Sequence, residues 1–217
     1  QVRDDEDIWM AVLTGSGDRA FSAGSDLKWR SAQGEGVRDH NRREVIDLTQ
    51  EGFQRGRDNW KPLIAAVNGY AVGGGLELVL GCDLVIAADH AKFGLPEVRR
   101  GLMADGAGIH RVMRRLPYNV AMELILTGEF IPALKAIDFG FVNEVVSMEK
   151  LGDTVESWIE RIKKCAPLAL RASKEAAVKG LDMPLIDAVS TIFPDSERLY
   201  QSIDFVEGPK AFAEKRE

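Results

Sequence analysis

Residues 62–82 read PLIAAVNGYAVGGGLELVLGC, and Glu77 is the one charged side chain between Lys61 and Asp83. An apolar run of this length, broken by a triple glycine, has few ways to fold. The first part, PLIAAVNGYAV, predicts a strand and turn or a strand pair. The second, GGGLELVLGC, predicts a glycine turn feeding a helix that is apolar on every side and therefore buried. Glu77 lies inside that helix. A carboxyl among apolar neighbours is desolvated, which favours its neutral form and raises its pKa. That shift suits a group for proton transfer near neutral pH. A second carboxylate, Glu97, follows twenty residues later in FGLPEVRRG. Two acids beside glycine turns point to catalysis rather than to a structural role.

The rest of the chain organises around this segment. WMAVLTGSG, residues 9–17, predicts a short buried strand ending in a glycine turn. FSAGSDLK contains a second turn, with Ser25 or Asp26 placed to cap a following helix. Residues 31–60 predict a loop around QGEG and then an amphipathic helix, a candidate for selecting among substrates. DLVIAAD, 83–89, reads as another strand. From about Val112 the pattern turns helical, with a short strand in FVNEVVS and with Gly128 and Gly140 as helix stops. The expected class is α/β: a core over 1–145 and a helical region over 146–217.

Composition excludes several functions. The hydrophobic share of 45% suits a packed core, and 28 basic against 34 acidic residues disfavour nucleic acid as a partner. Cys82 and Cys165 have no metal-like spacing, and His40, His90 and His110 show no ligand pattern, so no metal is expected. Cys82 and Cys165 read as reduced thiols rather than a disulfide. The 62–82 run comes nearest to a membrane span, but Pro62, Asn68 and three glycines interrupt it. The expected setting is the cytoplasm, or an organelle matrix in a eukaryote.

The two glycine turns share one device. Gly73, Gly74 and Gly75 let the backbone approach a ligand and leave an N–H at a helix start. FSAGSDLK offers the same near Ser25. Two converging N–H groups would form an oxyanion hole; two ordinary turns are the alternative. The spacing fits neither a dinucleotide fingerprint nor a P-loop. Glu97, beside Arg99 and Arg100, has the alternative of a salt-bridged surface residue. Asp105, in GLMADGAGIHR, has that of a turn residue.

In order, RAFSAGSDLK (19–28), PLIAAVNGYAVGGGLEL (62–78), CDLVIAAD (82–89), FGLPEVRRGL (93–102), AMELILTGE (121–129), GFVNEVV (140–146), APLALRASK (166–174) and EGPKAFAEKR (207–216) resemble the enoyl-CoA hydratase/isomerase (crotonase) superfamily over the whole chain. The resemblance implies a spiral of ββα units with a helical C-terminal trimerisation region, in a homotrimer or dimer of trimers. It implies an acyl-CoA thioester substrate and no separate cofactor, CoA entering as part of the substrate. The thioester oxygen would sit between the N–H groups of Ser25 and Gly74, with Gly75 supporting the second turn. Ala23, Ser25, Asp26, Leu27 and Lys28 match the segment lining the CoA path, and Arg19 a basic position near its phosphates. Glu77 and Glu97 fall on the two acid positions of the hydratases, where the pair holds one water.

Two features depart from the family pattern. QVRDDEDIWMAVLTG matches positions after the first strands of the family domain, so a basic phosphate contact from those strands is not assigned. Asp105 stands where many hydratases carry a small residue, and an aspartate there is similar to dienoyl-CoA isomerases and to hydratases of carnitine-type acyl-CoAs. Syn-hydration of a trans-2-enoyl-CoA is therefore the leading expectation. Double-bond isomerisation is the second, with a non-catalytic acyl-CoA-binding subunit and a fold-related serine peptidase further behind.

Overall fold

The computed structural model describes residues 2–32 and 59–216. The helix expected within 31–60 lies almost wholly outside them. Two compact units emerge, one formed by residues 12–32 and 63–156 and the other by 2–11, 59–62 and 157–216.

The first unit is built from eight short strands in two four-stranded sheets. The strands are β1 (Ala11–Thr14), β2 (Ala20–Ser22), β3 (Leu63–Val67), β4 (Tyr70–Val72), β5 (Leu84–Ala88), β6 (Lys92–Gly94), β7 (Phe130–Pro132) and β8 (Glu144–Val146). One sheet runs β1-β3-β5-β8 and the other β2-β4-β6-β7. Consecutive strands thus alternate between sheets, as β1 to β2, β3 to β4 and β5 to β6. Like strands of successive units pair in parallel, with Ile64 opposite Leu84 and Tyr70 opposite Lys92. The β6–β7 pair is antiparallel. Helix α1 (Leu27–Ala32) follows β2 and helix α2 (Gly74–Gly81) follows β4. A ββα step recurring along the chain is a spiral, as the family resemblance implies.

Burial follows the apolar runs. All five residues of β3 are buried, and Val85, Ile86, Ala87 and Ala88 of β5 are nearly inaccessible. Each such Val, Leu or Ile contributes roughly 1.5–3 kcal/mol relative to an exposed position. β1 departs from expectation: its burial alternates, and Val12 is exposed, because one face of this strand points away from the core. The polar Asn68 sits fully buried in the β3–β4 turn. Its side chain accepts from Gly15 N–H at 3.1 Å and donates to the carbonyls of Gly15 and Gly17, tying this turn to the β1–β2 loop. That satisfaction is what makes a buried amide tolerable.

The unit continues through a 3-10 turn (Pro96–Arg100), α3 (Gly108–Arg115), α4 (Tyr118–Thr127) and α5 (Ala133–Ala136). Gly128, at φ 64°, closes α4 in the left-handed conformation. The second unit holds most of α6 (Leu151–Lys163), with α7 (Pro167–Gly180), α8 (Leu185–Ser190), α9 (Pro194–Tyr200) and α10 (Ile203–Ala213). Here Glu175 is buried and accepts the Asp195 N–H at the start of α9. Leu185, Ile186, Val189, Ile203, Val206 and Phe212 are strongly exposed in this unit. No helix among the described residues is long and apolar enough to cross a membrane.

α2 can lie against β2 only because residue 75 has no side chain. A Cβ at Gly75 would fall 2.0 Å from the Ser22 carbonyl oxygen and 2.7 Å from its carbon, both backbone atoms. Gly75→Ala should therefore destabilise the fold by about 2–4 kcal/mol, read as a lower midpoint in urea unfolding.

Candidate active site

The turn before α2 sets the site. Gly73 has φ 58° and ψ −125°, a conformation that side-chain-bearing residues rarely adopt. Its N–H donates to the Gly94 carbonyl at 2.8 Å, anchoring the turn to β6, and its carbonyl accepts the Glu77 N–H. Gly74 then opens the helix. Gly24 packs directly on this turn: a Cβ added at Gly24 would lie 2.7 Å from Gly74 N, and one at Gly74 would lie 3.9 Å from Ser25 N. Among the described residues, neither the Ser25 nor the Gly74 N–H donates to a protein acceptor. The two sequence-predicted donors are thus neighbours.

Glu77 lies on the first turn of α2, only 5% exposed. Its Oε1 accepts the Gly108 N–H at 2.9 Å. Burial pushes its pKa up. Against that, the Gly108 N–H pulls it down, Asp105 pushes it further up, and the Gly106 N–H and the Arg111 guanidinium pull it down. Arg111 also donates to the Glu77 backbone carbonyl at 3.4 Å, while Arg115 donates to the Cys82 carbonyl at the other end of α2. A Cβ at Gly108 would lie 2.8 Å from Glu77 Oε1, so a side chain there would push the carboxyl out of place.

Glu97 enters from the 3-10 turn, behind Pro96 at its first position. Burial raises its pKa; its own backbone N–H lowers it, and the charges of Glu77 and Asp105 raise it. Its Oε1 is beside the glycine turn, 2.9 Å from where a Gly73 Cβ would stand, and Glu77 Oε2 is 3.9 Å from the corresponding position at Gly74. Both carboxyls therefore reach the same turn. Glu97 Oε2 is buried without a hydrogen-bond partner among the described residues. The surface salt bridge considered for Glu97 is not formed: Arg99 instead donates to the Thr127 carbonyl and pairs with Glu129 at 3.5 Å.

Asp105 is exposed in the loop before α3, and its charge acts on both glutamates. The remaining sequence-predicted positions form one exposed segment. Ala23, Ser25, Asp26, Leu27 and Lys28 are all solvent-accessible. Asp26 caps α1 by accepting the Lys28 N–H at 2.9 Å. Arg19 is exposed at the entry to β2, and its carbonyl accepts the Tyr70 N–H. Gly75 is buried against Ser22. Gly106, Gly108 and Arg111 were not singled out from sequence. The glycines on either side of Ala107 in ADGAGIHR were the available signal.

The model of the enoyl-CoA hydratase/isomerase family matches residues 1–217. The chain belongs to that family. It is 42% identical over 216 residues to the (E)-benzylidenesuccinyl-CoA hydratase of Thauera aromatica, covering 100% of this chain and 82% of that protein. It is 40% identical to the carnitinyl-CoA dehydratase of Citrobacter koseri, over 99% of this chain and 82% of the relative. Among solved structures, an enoyl-CoA hydratase from Bacillus anthracis superposes with a TM-score of 0.89 at 34% identity, covering 100% of this chain and 82% of that one. Membership makes the chain a crotonase-superfamily enzyme with the crotonase fold.

Asp105→Asn removes one negative charge from a site with three carboxyls. The charged forms of Glu77 and Glu97 then cost less, so both should titrate at lower pH than in the native protein. Carbon-13 NMR of glutamate-labelled protein, followed across acid pH, reads both midpoints.

Proposed function

We propose that this enzyme adds water syn across a trans-2-enoyl-CoA to give a 3-hydroxyacyl-CoA. The unpartnered, buried Oε2 of Glu97 carries the reading, because a buried acceptor without a donor calls for a ligand group such as a water. Glu77, whose Oε2 is directed at the same glycine turn, shares that water. One carboxylate takes a proton from the water as it attacks the β-carbon, and the other carboxyl supplies a proton to the α-carbon. The two titrate as a coupled pair, which leaves the division of roles to the pair rather than to either residue. The Ser25 and Gly74 N–H groups would hold the thioester oxygen as it gains negative charge. Ala23, Asp26, Leu27, Lys28 and Arg19 would line the CoA path, with CoA arriving as part of the substrate.

A second reading, double-bond isomerisation or turnover of a carnitine-type acyl-CoA, has one observation in its favour. Asp105 adds a third charge that bears on both glutamates. The relatives named for benzylidenesuccinyl-CoA and carnitinyl-CoA widen the range of acyl groups to assay. The exposed apolar side chains of α8 and α10 support self-association as a homotrimer or dimer of trimers, since apolar surface of this kind is used in protein contacts.

Glu77→Gln and Glu97→Gln should each slow crotonyl-CoA hydration by about 10²–10⁴-fold while acyl-CoA binding stays near native. Retention of full hydration by both variants would overturn the proposal. Conversion of a 3,5-dienoyl-CoA, followed by its ultraviolet spectrum, in an enzyme that does not hydrate crotonyl-CoA would favour the isomerase.

A further inference from the structure

Ala107 has φ 78° and ψ 2°. Among the described residues only Lys215, in the other unit, shares a positive φ without being glycine. Left-handed backbone is disfavoured for any residue with a Cβ and free of that penalty for glycine. Alanine nevertheless stands here between Gly106 and Gly108, at the cap of α3. Its neighbour Gly108 donates its N–H to the Glu77 carboxylate at 2.9 Å, and the Gly106 N–H on its other side lowers the pKa of the same carboxyl. Glycine at 107 would create three consecutive glycines, a segment with many more accessible conformations. Strain held at a ligand-side loop is a common mark of preorganisation.

We propose that Ala107 is a positioning residue, whose left-handed backbone restricts the 105–108 loop so that the Gly108 N–H stays aimed at Glu77. The consequence for turnover rests on the hydration reading; the consequence for the Glu77 carboxyl does not. Other charged groups acting on Glu77 are Asp105 from the same loop, Arg111 from α3 and Glu97 from the 3-10 turn. All of them remain in an Ala107 variant. N–H donors favour the ionised carboxylate, so loosening them raises the pKa of Glu77. Its titration and the acid limb of the rate profile should both move to higher pH.

Two variants separate positioning from mere tolerance. Ala107→Gly relieves backbone strain and frees the loop. Ala107→Asn keeps a side chain that accepts the left-handed region. The Glu77 carboxyl is followed by carbon-13 NMR, its signal assigned by loss in Glu77→Gln, alongside thermal melts and crotonyl-CoA kinetics. Ala107→Gly should melt no lower than native yet titrate Glu77 at higher pH. Its kcat should fall about 3- to 10-fold with KM little changed, because small misplacements of a catalytic group are costly. Ala107→Asn should stay within about twofold of native in kcat, since its backbone restriction is retained. Native titration and native kcat in Ala107→Gly would overturn the proposal, as would an Asn variant that behaves like the Gly variant. A shifted Glu77 midpoint in Ala107→Gly, with no hydration by the native enzyme, would uphold the positioning and overturn the hydration reading instead.

Discussion

The hydrogen bond from Gly108 N–H to Glu77 Oε1 is the contact on which the site depends. A carboxyl buried in an apolar helix is expensive unless its charge is met by donors. Gly108 opens α3, so its N–H belongs to a helix N-terminus, where the backbone dipole favours negative charge. Arg111, one turn into the same helix, is directed to the Glu77 backbone. The contact also ties α3 to α2, and a Cβ at residue 108 would crowd the Glu77 carboxyl that makes it. One glycine, one acid and one helix start therefore fix each other. The balance leaves Glu77 with a raised pKa, burial pushing it up and the Gly108 N–H opposing the rise.

Backbone proximity does for the opposite side of the site what hydrogen bonding does here. Gly24 and Gly74 touch, Gly75 lies on the Ser22 carbonyl, and Gly69 on the Arg19 carbonyl. These contacts join one ββα step to the next, and at each a Cβ would collide with main chain rather than with a yielding side chain. The alternation of strands between the two sheets delivers the Gly24–Ser25 and Gly73–Gly74 turns to one place. Two N–H groups so far apart in sequence become neighbours through topology, and the Ser22 hydroxyl steadies the first turn by accepting the Gly24 N–H.

Much of this was legible in the sequence where one force dominated. The apolar run at 62–72 gave β3, its asparagine–glycine turn and β4, and GGGLELVLGC gave the glycine turn and buried helix with Glu77 inside. Ser25 or Asp26 reads as a cap, and Asp26 acts as one. Where forces competed, the sequence said less. β1 looks wholly apolar in MAVLT, yet one of its faces is open, because periodicity does not tell which side a sheet leaves uncovered. β6 and β7 are three residues each, too short for any alternation to register, and β6 is held by the buried Phe93, packed edge-on against Phe141, as well as by pairing. Glu97 beside two arginines suggested a salt bridge, but Arg99 is drawn to Thr127 and Glu129 by tertiary contacts that local charge pattern does not encode. The left-handed Ala107 is likewise invisible in sequence, where an alanine between two glycines suggests only a loop.

The two glutamates differ in what holds them, and the difference bears on how a shared water could be used. Glu77 is fixed on a helix, with Oε1 committed to Gly108 and Oε2 turned to the glycine turn. Glu97 sits on a single 3-10 turn and keeps a buried oxygen unmatched by donors among the described residues. Each carboxyl raises the cost of ionising the other, and both are raised again by Asp105. Solvent screens that outer charge at its exposed position, whereas the two inner groups interact through protein. Preorganisation at one carboxyl and an open acceptor at the other is a division of labour that two equivalently solvated acids would not have.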